Sequence, residues 1–72
     1  MRFTKQGYKE LLDNQANIVI SDGLSVEDMK FLAKNAFEAK RNLIIRSTET
    51  NLEDLKKIAA EGKGFVTIEI IG

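Results

Sequence analysis

Asp22 and Glu49 are the carboxylates best placed to do chemistry. Each follows a short apolar run by a few residues, and ligands of open α/β sheets bind beyond the carboxyl ends of the strands. Two such groups can divide acid and base roles, or offer oxygen ligands to Mg²⁺. The same rim carries Ser21, Gly23, Arg46, Ser47, Thr48 and the terminal Ile71-Gly72. A nucleophile would be drawn from Ser21, Ser25, Ser47, Thr48 or Thr50. However, the chain has no His to activate a hydroxyl and no Cys to replace one. The lysines recur at surface-facing helical positions, so none is expected to be desolvated into a base. Asp22 reads more simply as a turn residue, and Glu27, Asp28, Glu53 and Asp54 as complements to helix N-termini. Those carboxylates occupy the positive dipole ends that a phosphate would need. There is also no G-x-G-x-x-G or Walker-type loop. The sequence therefore predicts no catalytic residue, no cofactor, no metal and a non-enzymatic role.

A nucleic-acid partner is the next chemistry to weigh. Lys30, Lys34, Lys40 and Arg41 on one helical segment, with Lys56, Lys57 and Lys63 on another, would form a basic ridge if the two helices were neighbours. Glu38, Glu53, Asp54 and Glu61 interrupt it, and Lys plus Arg equals Asp plus Glu at 11 each. Nucleic-acid binders usually carry a basic excess, because affinity comes largely from phosphate neutralisation. Of the five aromatics, Phe65 is the one expected on an open sheet face, where a base can stack. Nucleic-acid binding by the Lys-rich helices is thus the alternative reading. Zero net charge also weakens the repulsion between copies and leans towards self-association.

The elements that hold these groups are legible. At 72 residues the chain is one domain. Its runs Ile18–Ile20, Leu43–Arg46 and Phe65–Ile70 are rich in β-branched residues and bounded by polar ones, as buried strands are. Each follows a segment of helical period. In the first, Tyr8, Leu11 and Leu12 repeat behind a Thr4 N-cap. In the second, Ser25 caps a stripe of Val26, Met29, Leu32, Ala33, Ala36 and Phe37. In the third, Thr50-x-x-Glu53 forms a capping box ahead of Leu52, Leu55, Ile58 and Ala59. Gly62 and Gly64 are expected to supply left-handed positions at its end. The domain is then three αβ units, approximately 3–21, 24–47 and 50–71. The last two repeat in content: Leu24-Ser25-Val26-Glu27-Asp28-Met29-Lys30 parallels Thr50-Asn51-Leu52-Glu53-Asp54-Leu55-Lys56. This alternation resembles the unit of leucine-rich-repeat solenoids. It lacks their L-x-x-L-x-L-x-x-N pattern in register, so the likeness is one of packing and brings no functional residue.

Strands separated by a helix are normally parallel, with right-handed crossovers. The expected fold is α/β, αβαβαβ with a small three-stranded parallel sheet. Order 1-2-3 is favoured, with the helices mainly on one face, and 2-1-3 is the alternative. Alternation places Ile18, Ile20, Leu43, Ile45, Val66, Ile68 and Ile70 under the helices. The open face would carry Asn17, Asn42 and Phe65, then Val19, Ile44 and Thr67, then Ser21, Arg46 and Glu69. Parallel sheets are usually covered on both faces, so the expected role is self-association or capture of a protein partner. Val19, Ile44, Phe65, Thr67, Arg46 and Glu69 form the candidate interaction surface. The apolar runs are too short to cross a bilayer and no signal-peptide core precedes them, so the expected location is cytoplasmic, with no membrane contact.

Overall fold

The structure, a computed structural model, describes residues 3–21, 24–47 and 51–71. In chain order the elements are α1 (Lys5–Asp13), β1 (Ile18–Ile20), α2 (Val26–Ala39), β2 (Leu43–Ser47), α3 (Leu52–Gly62) and β3 (Val66–Ile70). The three strands form one parallel sheet in the order β1-β2-β3, the favoured order of the two. Leu43 sits between Ile18 and Val66, and Ile45 between Ile20 and Ile68. Successive right-handed crossovers to the neighbouring strand bring α2 and α3 to the same side, and α1 joins that layer. There α1 packs on α2 and α2 on α3. Leu12, Leu32 and Ile58 from the helices meet Leu43 and Ile45 from the sheet, all fully buried. The shortest dimension is 18 Å, the depth of one sheet and one helical layer.

The helix starts follow local chemistry. Ser25 Oγ accepts the Asp28 N–H at 3.1 Å, as its position ahead of the α2 stripe predicts. At α3 the cap is one residue later than the capping box implies: Asn51 Oδ1 accepts the Asp54 N–H at 3.2 Å. Thr50 lies outside the described residues. Asn51 therefore takes the cap role assigned to Thr50, being as good a side-chain acceptor for the second or third helical N–H.

The helix ends carry a repeat that composition alone does not reveal. Gln15, Lys40 and Lys63 each lie three residues before the following strand and each has positive φ, at 76°, 59° and 46°. After α1 and α2 the closure is the same: Ala16 N–H donates to Leu11 O, and Arg41 N–H to Ala36 O, both at 3.0 Å. This is the six-residue wrap of a Schellman motif. α3 differs, with Lys63 N–H on Ala59 O and Phe65 N–H on Gly62 O, and with Gly64 at φ 96°. Gly64 is thus left-handed as expected, whereas Gly62 is the last helical residue. Its need for glycine is steric: a Cβ there would lie 2.9 Å from Val66 Cβ and 3.7 Å from Ala33 Cβ.

Four apolar residues differ from expectation. Leu52 is 66% exposed and Ala59 is also exposed, although both belong to the predicted α3 stripe. Leu11 of α1 is likewise exposed. These stripes are wide enough for two neighbouring helices, but α1 and α3 each have one. Ile70, expected under the helices, is 60% exposed, because β3 is an edge strand and no helix covers its end.

Gly62→Ala is expected to lower stability by about 1–3 kcal/mol through overpacking against Val66, read as a lower urea midpoint. Gln15→Gly is expected to raise stability by roughly 0.5–1 kcal/mol, because glycine adopts positive φ without a Cβ clash. The same titration checks both.

Candidate functional site: the uncovered sheet face

The side of the sheet away from the helices is built by strand alternation. With Leu43 and Ile45 buried, Ile44 between them points outward. Its in-register neighbours are Val19 and Thr67. Val19 is 57% exposed and Thr67 is exposed, while Ile44, shielded by both flanking strands, is half-buried. One step along, Arg46 and Glu69 are paired in register, and Arg46 Nε donates to Glu69 Oε1 at 3.0 Å. Both side chains are about half exposed, so the pair is solvated and contributes modestly. At the opposite end Asn42 N–H donates to Asn17 Oδ1 at 2.8 Å, which ties the β1 and β2 entries together. The face therefore runs from an amide pair, through an apolar centre, to an ion pair.

Five of the six predicted surface residues lie together on this face. Phe65 does not: its ring packs edge-on against Phe37 of α2 at 6.1 Å and lies half-buried against the core. The physical reason is local. Phe65 precedes β3 and follows the positive-φ Gly64, so strand alternation does not extend back to it. What the sequence reading missed is the cluster this creates on the helix side. Lys40 Nζ stands 4.0 Å from the Phe37 ring centroid and Lys63 Nζ 4.8 Å. The signal was available in the matched spacing of Lys40 and Lys63 ahead of their strands.

At the proposed carboxylate rim, Asp22, Gly23, Thr48, Glu49 and Gly72 lie outside the described residues. Among the described residues, no cluster of three metal-capable side chains occurs. The basic ridge is partly neutralised, since Lys30 pairs with Glu27 and Lys56 with Glu53. Lys5 pairs with Asp28, and Lys9 with Asp13 at 2.6 Å. The hydrogen bond and charge of Asp13 raise the Lys9 ammonium above its ordinary pKa. Among the described residues, open grooves lie on the helical side. One, of about 460 Å³, is lined by Phe3, Gly7, Glu10, Leu11 and Asn14. Another, of about 240 Å³, is lined by Glu27, Lys30, Phe31, Lys34 and Glu61.

Comparison with family models, curated proteins and solved structures finds no match. No helix among the described residues is long and apolar enough to cross a membrane.

A double-mutant cycle on Arg46→Ala and Glu69→Ala is expected to give a coupling of about 0.2–1 kcal/mol at low salt. The coupling should shrink as salt is added, as measured by urea titration of the four chains.

Proposed function

We propose that the protein is a non-enzymatic self-association module whose uncovered sheet face meets the same face of a second copy. The observation that carries this reading is the apolar centre, exposed Val19 and half-buried Ile44 beside Thr67, on a parallel sheet with helices on one side. Sheets of this kind are normally covered on both faces. The occupant is argued from charge. Arg46 and Glu69 stand side by side on the face, so a twofold axis parallel to the strands and midway between β2 and β3 would bring each Arg46 to the other copy's Glu69 and each Ile44 over the other's Thr67. A surface whose apolar patch is bordered at one end by an adjacent cation and anion is complementary to itself, as an isologous contact requires. Zero net charge leaves no long-range repulsion to oppose the approach. The alternative, a nucleic acid on the Lys-rich helices, is supported less well, since Lys30 and Lys56 are in ion pairs and the Phe65 ring is engaged with Phe37.

Sedimentation equilibrium across micromolar to millimolar concentration tests the proposal. The wild-type chain is expected to associate, and Ile44→Lys to weaken that association by about tenfold or more while keeping its circular dichroism. Arg46→Glu, at an exposed position, is expected to weaken it too by setting like charges face to face. A wild-type chain that stays monomeric throughout would overturn the proposal.

A further inference from the structure

The six large apolar side chains exposed among the described residues are Phe3, Leu11, Val19, Leu52, Ile70 and Ile71. They belong to the first and third αβ units; none belongs to the middle one. The middle unit is flanked by a helix and a strand on both sides, whereas each outer unit is flanked on one side only. From this we propose that copies of the chain also join laterally, head to tail, with β3 of one copy pairing in parallel with β1 of the next. α3 would then seat in the groove on the outer side of α1.

The helix surfaces support that placement. On α1, Lys5 reaches towards α2, where it meets Asp28 and Phe31, and Tyr8 and Leu12 pack into the core. At 3.6 residues per turn, Phe3, Gly7, Glu10, Leu11 and Asn14 fall on the far side, and these residues line the groove of about 460 Å³. On α3, Glu61 shares a groove with Lys30 and Lys34 of α2, so it marks the flank towards α2. Leu52, Lys56 and Ala59 fall on the opposite flank, and all three are exposed. The vacant flank of α1 is an apolar groove holding the single charge Glu10. The vacant flank of α3 is apolar and carries Lys56, whose exposed pairing with Glu53 of the same helix at 3.4 Å is weak enough to exchange. The two are apolar stripes of opposite charge, and the internal contact of α2 with α3 is the template for joining them.

The backbone is equally prepared. Ile18 N–H donates to Asn42 O, and Leu43 N–H to Phe65 O. In a parallel ladder alternate residues bond to alternate sides. The free edge of β1 therefore presents the N–H and C=O of Val19, and that of β3 presents those of Val66, Ile68 and Ile70. Unpaired edges of this kind are templates for strand addition. The contact joins two different surfaces, so unlike a face-to-face dimer it does not end at two copies. It shares with the proposed function the premise that the chain self-associates, but uses different residues.

Two end-blocking variants test it, Leu11→Lys at the α1 groove and Leu52→Lys on the α3 flank, both at exposed positions. Each keeps one intact end, so a head-to-tail contact is restored when the two are mixed. The wild-type chain is expected to sediment beyond two copies at high concentration. Each variant alone should lose that growth by about tenfold or more in concentration. The equimolar mixture should be heavier than either variant at the same total concentration. A wild type that stops at two copies, or a mixture no heavier than its components, would overturn the lateral contact and leave the face contact standing. A wild type that never associates would overturn both.

Discussion

The constraint on which the structure depends is the handedness of its two crossovers. Adjacent parallel strands joined twice by right-handed connections send α2 and α3 to one side of the sheet, and α1 joins them by packing on α2. Leu43 and Ile45 of the central strand are consequently sealed beneath Leu12, Leu32 and Ile58. Ile44, between them in the chain, is left on the bare side with Val19 and Thr67 as its neighbours. One connectivity rule thus fixes both the core and the face that lacks a cover. A 2-1-3 order would have divided the helices between the faces and removed the exposed centre.

The same rule explains where stability is concentrated. α2 is held on both flanks, and four of its apolar or small side chains, Met29, Leu32, Ala33 and Ala36, are buried. α1 and α3 bury one or two residues each and leave Leu11 and Leu52 in water. The chain adopts left-handed non-glycine residues, Gln15, Lys40 and Lys63, at all three helix ends. Each costs of order 1 kcal/mol relative to glycine. At two of them the Lys side chain folds over Phe37, and a cation over a ring recovers roughly half to all of that cost. The helix ends are therefore closed by ring contacts where a glycine would have closed them through backbone freedom.

Much of the fold was legible because the strands are short apolar runs and the helices have clear periods. Ser25 reads as a cap from its place ahead of the α2 stripe, and β2 from its three consecutive branched residues. The misplacements share a physical cause: a pattern records how wide an apolar stripe is, not how many neighbours will meet it. Leu52 and Ala59 look like core positions because they would be core if a fourth helix followed. Phe65 looks like an open-face residue because alternation extends one residue back beyond β3, to a position that directly follows the positive-φ Gly64. Asn51 and Thr50 are both good caps, and sequence gives no reason for the later one to hold the helix start. The open face itself was legible, since alternation within β2 needs no knowledge of loops.

The central claim is that the bare side of the sheet, centred on Ile44, is a contact surface. Methyl NMR on a sample mixed from isotopically labelled and unlabelled chains reads it most directly. The account predicts concentration-dependent shifts and intermolecular NOEs at the Val19 and Ile44 methyls, with the Leu32 and Ile58 methyls unchanged. Val19 and Ile44 methyls that give no intermolecular NOE and do not move up to millimolar concentration would contradict it.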